Sequence, residues 1–279
     1  MKMMFQIADI SVEVSADQEV LGLFARYVSS AVYAIPPKRH LAASVETTSA
    51  GYRLASGRTE ISPDFAAEAL WLEVEETVRY LLRDWLQMRG ICIAAEDGWV
   101  LVTGDDQRAL RLAAVEAMDT GLHVASATGV CLKAGVALPY TLPLHMMHSE
   151  LRQIDPSGLR FAQVSIFHDE MGCRRCVICP SDFGNMWHVP DLPLSRIVVL
   201  QWNEGGSAHS GRLPAHRRLE LFLEATHLPD SLEVRERVAL VTQAKQLVDM
   251  VPVYRLQVGR LPDFPTALSA YLSGSREHA

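Results

Sequence analysis

Hydrophobic and polar positions change period along the chain, and each change predicts an element. From Phe5 to Val14 they alternate with period two, Ile10, Val12 and Val14 on one side and Ser11 and Glu13 on the other, which predicts a half-buried strand. Ala16-Asp17 then opens a helical stretch in which Val20, Leu21, Phe24 and Val28 recur at helical spacing, ended by Pro36-Pro37. Ala42 to Ser56 predicts a hairpin punctuated by Gly51 and Gly57. Ser62-Pro63-Asp64 starts a long helix, with proline where a missing N–H costs nothing. Its apolar stripe, Ala66, Leu70, Val74, Val78, Leu81 and Leu82, runs up to Trp85.

The texture changes at Gly90. ICIAAEDGWVLVTG holds two apolar runs around Glu96-Asp97-Gly98, predicting a hairpin whose second strand, Trp99 to Val102, is buried on both faces. Gly104 ends that strand, Arg108 to Met118 is helical, Gly121 caps the helix, and Leu122 to Ala125 and Gly129 to Leu132 are short strands. Residues 99 to 125 thus have the strand, glycine turn, helix, strand layout of a phosphate-binding βαβ unit. Farther on, the pattern predicts a hairpin (Phe161 to Ile166 with Cys176 to Cys179) and a buried strand, Ile197 to Trp202. Helices follow at Pro214 to Thr226 and Ser231 to Met250, then a strand, Val253 to Val258, and a last helix, Phe264 to Leu272, before a frayed GSREHA end.

Composition narrows the function classes. The 279 residues are 49% hydrophobic and 21% charged, enough apolar material for a large core and incompatible with disorder or a coiled-coil rod. A net charge of −7 gives no global pull toward nucleic acid or anionic lipid. No apolar run approaches the roughly 20 residues that cross a bilayer, and the start lacks a secretory pattern. Five cysteines (Cys92, Cys131, Cys173, Cys176, Cys179) are too few and uneven for a disulfide scaffold. A cytoplasmic protein without nucleic-acid or membrane partners is expected.

The stretch DGWVLVTGDDQRALRLAAVEAMDTGLHVAS resembles the nucleotide-binding core of the HPr kinase/phosphorylase group, whose small members include kinase-like proteins of peptide-modification clusters. LPYTLPLHM, CVICPSDFG, LPLSRIVVLQWNEGG and VPVYRLQVGRLPDF resemble further segments in the same order. The resemblance implies an α/β fold, a mixed sheet with flanking helices related to the HPr kinase and phosphoenolpyruvate carboxykinase core. It is preceded by an N-terminal α+β segment (1–89) within one domain (1–279). A homo-oligomer is implied in the same way. The departures from the family pattern fall on its chemistry. A working P-loop needs glycines, a lysine for the terminal phosphates and a Ser or Thr for magnesium. Only Gly104 is kept; Asp105, Asp106 and Gln107 replace small residues, and Leu110 and Arg111 stand at the lysine and hydroxyl positions. Ser126, Ala127 and Thr128 replace the family's acidic metal-holding pair, and Arg89-Gly90 occupies the stretch where the family carries a histidine. Phosphoryl transfer rests on positioning and charge neutralisation, so these losses together imply a degenerate catalyst.

Three functions follow as expectations: a catalytically degenerate accessory protein that binds a peptide or protein partner and needs no cofactor; an ATP- and magnesium-dependent serine kinase with a non-standard phosphate loop; or a metal-binding adaptor. Gly104, Asp105, Asp106, Gln107, Arg108 and Arg111 form the degenerate loop, where the two arginines either bind an anion or are solvated helix-face charges. Cys173, Cys176 and Cys179, spaced C-x-x-C-x-x-C, offer thiolates for zinc or an iron–sulfur cluster, or are buried small apolar residues of a strand. His145-Met146-Met147-His148 sets soft ligands together in what is expected to be a loop with exposed histidines. Asn203-Glu204-Gly205-Gly206 either lines a cleft or makes a glycine turn. Arg212, His216, Arg217 and Arg218 either recognise an acidic partner or lie on a solvated helix start.

Overall fold

The computed structural model describes residues 1–28, 31–34, 36–133, 135–169, 172–184, 188–206, 209–227 and 232–274. Ser231 and residues 275–279 of the GSREHA end lie outside them. The fold is mixed α/β. Its central sheet has six strands in the order Val124–Ser126, Ile91–Ala95, Gly98–Thr103, Leu194–Trp202, Val253–Val258, His209–Arg212. The three middle strands, from Gly98–Thr103 to Val253–Val258, are parallel, and the remaining pairings are antiparallel.

Burial on both faces explains the continuous apolar runs within Gly98–Thr103 and Leu194–Trp202. Val100, Val102, Val198 and Leu200 face the core helix Gln107–Asp119. Trp99, Leu101, Ile197 and Val199 face the opposite way, into a cluster that contains Phe222, Leu240 and Leu247 of the helices Ala215–Ala225 and Val234–Met250. The core helix joins Gly98–Thr103 to Val124–Ser126, which run in the same direction with Ile91–Ala95 between them. The expected strand, helix, strand unit is therefore present, with a third strand inside it.

Buried charge locks the core helix to the chain that follows. Glu116 is 1% exposed, and Arg160 grips its carboxylate through both terminal nitrogens while also reaching Asp119 at 2.6 Å. These carboxylates push the Arg160 guanidinium above its usual range, Glu116 contributing most.

The N-terminal part has its own five-stranded sheet, ordered Lys2–Ile7, Ile10–Ser15, Arg39–Thr48, Gly51–Leu54, Thr59–Glu60, packed against the helices Gln18–Phe24 and Pro63–Leu81. Cys131, Leu138, Tyr140 and Leu142 join this core from the strands Val130–Lys133 and Val136–Pro139 and the segment after them. Asp17 caps the first helix by accepting from the Val20 N–H at 2.9 Å, and Ser62 caps the second by accepting from Phe65.

Several boundaries differ from expectation. The single strand from Phe5 to Val14 is a hairpin, because the chain reverses at Ala8-Asp9 with Ala8 in the left-handed region at φ 52°. No glycine marks that turn; the Ala8 N–H donates to the Tyr33 hydroxyl at 3.1 Å, and the Asp9 carbonyl accepts from Lys38 and Arg39. The first helix ends at Phe24 and a 3₁₀ turn, Ala25–Tyr27, follows, well before Pro36-Pro37. The second ends at Leu81 rather than Trp85. His145 to Met147 belong to a strand, Leu144–Met147, paired with Arg174–Ile178, and not to a loop. Phe161 to Val164 are turns, and the hairpin partner of Arg174–Ile178 is Ser165–His168. Among the described residues no helix is long and apolar enough to cross a membrane.

Leu112 sits fully buried in the core helix. Leu112→Ala should lower the unfolding free energy by about 2–5 kcal/mol, because the cavity left behind adds to the lost transfer energy. Urea denaturation reads this as a lower midpoint at unchanged slope.

Candidate functional site

The start of the core helix decides what the segment Gly104 to Arg111 can do. A helix begins with N–H groups that have no partner within the helix. Here Asp106 is the N-cap, and its Oδ1 accepts from the N–H groups of Arg108 and Ala109, both at 2.9 Å. A carboxylate of the chain itself thus sits where a P-loop would receive phosphate. Asp105 Oδ1 accepts from the Asp106 N–H at 3.0 Å, and Gln107 Nε2 donates back to the Gly104 carbonyl at 3.2 Å. A Cβ on Gly104 would lie 2.7 Å from the Leu200 carbonyl oxygen, so packing against the neighbouring strand is enough to require glycine there. Arg108 points to solvent, and Leu110 is buried.

Arg111, one turn on, lines a cleft of about 550 Å³ between the helix Pro63–Leu81 and the core helix. Its floor comes from the strand Leu86–Met88, from Arg89-Gly90 and from the turn at Ala127 to Val130. Within that turn, Ser126 Oγ donates to the Tyr140 carbonyl at 2.6 Å and accepts from the Gly129 N–H at 3.1 Å, and Thr128 Oγ1 donates to the same carbonyl at 3.1 Å. The hydroxyls at the expected metal-pair position therefore tie the backbone together.

One wall of the cleft is aromatic. Trp71 stacks on Tyr27 with ring centres 6.0 Å apart and planes 9° from parallel, and Tyr27 stacks on His145 at 5.2 Å and 5°. Phe167 meets His145 edge-on at 6.2 Å, and the Arg26 guanidinium lies 5.5 Å from the Phe167 ring centre. The 3₁₀ turn that replaces the expected helix end is what carries Tyr27 into this stack. Burial lowers the His145 imidazole from 6.5 to about 4, outweighing its bond to the Arg26 backbone, so it is neutral and not the exposed residue expected.

The polar wall is arginine-rich and mostly paired. Arg79 donates to Glu75 at 2.6 and 3.2 Å and lies 5.7 Å from the centre of the Tyr140 ring; Arg175 donates to Asp169 at 2.8 Å; Arg111 is held by Glu150. Arg89 is exposed and has no ion-pair partner among the described residues. Burial pushes the Tyr140 phenol well above its ordinary range, so it stays protonated. Gln87 Oε1, Arg111 Nε, Tyr140 Oη and His145 Nε2 are buried without a hydrogen-bond partner among the described residues. Each unmet buried polar atom costs about 1–3 kcal/mol.

The other candidates lie apart from this cleft. Cys176 is buried in the middle strand of the three-stranded sheet, and Cys173 and Cys179 flank that strand, half-buried. Burial, with Asp182 adding to it, pushes the Cys179 thiol up to about 12, which disfavours the thiolate a metal needs. Among the described residues no group of three or more His, Cys, Asp or Glu could hold a metal. Arg217 pairs with Glu220 at 3.3 Å on the surface, Arg218 Nε donates to the Leu213 carbonyl at 2.8 Å, and Arg212 sits on the edge strand His209–Arg212. The His216 side chain lies outside the described residues. Asn203 to Gly206 form a turn, in which the Gly206 N–H donates to the Asn203 carbonyl at 2.8 Å. Neither a family model nor a curated protein matches the chain.

Two outcomes test this geometry. Removing the cap by Asp106→Ala should lower stability by about 1 kcal/mol in chemical denaturation. For His145 the folded pKa lies below the unfolded one, so its contribution is complete above pH 6.5 and is lost as pH falls toward 4. Stability should fall over that window by up to about 3 kcal/mol, and less in His145→Phe, which keeps a ring in the stack.

Proposed function

We propose that the chain is a catalytically silent relative of the HPr kinase/phosphorylase group that holds a peptide or protein partner in a biosynthetic or modification pathway. The observation that carries this proposal is Asp106, whose carboxylate accepts from the helix N–H groups that a phosphate would need. A nucleotide phosphate placed there would meet a like charge in Asp106, with Asp105 beside it. It would find no lysine at Leu110 and no acidic metal ligands at Ser126 to Thr128.

The binding part of the proposal is supported by the cleft. The stacked rings give an ordered apolar wall at low entropic cost and the paired arginines a polar one, and the lining includes buried donors and acceptors without a partner among the described residues. Such a mixture suits a peptide, which brings apolar side chains and backbone amides together.

ATP with magnesium at 1 mM should leave the thermal unfolding midpoint unchanged. Micromolar binding would instead stabilise the protein by about 4 kcal/mol. A clear upward shift that disappears in an Arg108→Ala, Arg111→Ala double variant would replace this proposal with an active kinase using a non-standard loop.

A further inference from the structure

The Arg89 guanidinium stands out because everything around it is held. The Arg89 backbone N–H donates to the Ala225 carbonyl at 3.0 Å, and the Arg89 carbonyl accepts from Thr103 Oγ1 at 2.9 Å. Gly90 follows at φ 157°, where a Cβ would lie 2.4 Å from the Val102 carbonyl oxygen. The backbone is thus fixed against the end of the helix Ala215–Ala225 and the strand Gly98–Thr103, and the side chain lines the cleft with no ion-pair partner among the described residues. The other three arginines of the lining are each paired with a carboxylate.

The same lining holds buried polar atoms of both kinds. Gln87 and Tyr140 are 5% and 6% exposed, and Gln87 Oε1 and Tyr140 Oη have no hydrogen-bond partner among the described residues. Arg111 Nε is an unmet donor, and His145 Nε2, in a neutral ring bonded through its other nitrogen to the Arg26 backbone, is an unmet acceptor. Acceptors of this kind match amide N–H groups, and donors match amide carbonyls.

We propose that this cleft binds a carboxylate-bearing peptide, the carboxylate pairing with Arg89 and the neighbouring apolar side chain packing on Tyr27, His145 and Phe167. The inference rests on the peptide-binding function above. A carboxylate fits better than a phosphate because the four arginines stand against four carboxylates, Glu68, Glu75 and Asp169 of the lining and Glu150 beside Arg111. Arg89 alone of the four has no ion pair among the described residues and can meet a monoanion; a dianion would bring a second charge with no free cation of the lining to meet it. Guanidinium also binds carboxylate through two parallel hydrogen bonds, which fixes the peptide's orientation.

The test is calorimetric titration of acetyl-Ala-Phe with a free C-terminal carboxylate, of the same dipeptide as its amide, and of acetyl-Glu-Phe amide. At least one carboxylate probe should bind about tenfold tighter than the neutral amide, as expected for a charge-assisted pair. Preference for the first assigns a chain end, and preference for the third an acidic side chain. Arg89→Gln should bring the affinities within about twofold of one another, and Arg89→Lys should keep part of the preference. Equal binding of all three probes by the unaltered protein, or a preference that persists in a folded Arg89→Gln variant, overturns the carboxylate pairing while leaving peptide binding in place. Absence of binding by any probe at millimolar concentration overturns both.

Discussion

The N–H groups that open the core helix must find acceptors, and the identity of those acceptors governs what the molecule can hold at the end of its central strand. Asp106 supplies one carboxylate oxygen to two of them. Gln107 meanwhile folds back onto Gly104, and Gly104 is pressed to the Leu200 carbonyl of the adjacent strand. The turn is closed by its own side chains and by the sheet, with no vacant cradle among its hydrogen bonds.

That closure moves attention one helical turn along. Arg111 projects from the same helix into a cleft whose other side is built by the helix Pro63–Leu81, so the core helix and the N-terminal part of the chain share one site. Its geometry depends on elements far apart in sequence. Tyr27 comes from a 3₁₀ turn, Trp71 from a long helix, His145 from one strand of a small sheet and Phe167 from another. The stack holds because each ring is placed by a different packed element.

This distance in sequence explains which features the residues alone disclosed. Gly98–Thr103 and the turn from Thr103 into the core helix are set by local pattern, a buried apolar run and a cap, and their bounds follow from neighbouring residues. Asp105, Asp106 and Arg111 could be picked out because each occupies a motif position. The reversal at Ala8-Asp9 could not, since its alanine takes a left-handed conformation without the usual glycine and is held by Tyr33 and Lys38, both remote. Nor could the aromatic wall: His145 carried the visible signal of soft ligands beside it, yet its burial depends on Tyr27 and Phe167. Arg89 has no motif position of its own and only occupies the stretch of a missing histidine.

Local order and charge balance meet at Arg89. Most arginines of the cleft are spent on intramolecular carboxylates, which stiffens the wall and cancels its field. Buried donors and acceptors of the lining that have no partner among the described residues are a pattern that folding alone does not favour, because each unmet group weakens the native state. Stability elsewhere must carry that cost. The central strands, buried on both faces, and the Glu116–Arg160 lock are well placed to do so, since neither contributes a side chain to the cleft. The site can remain incompletely satisfied because the sheet beneath it is buried on both faces.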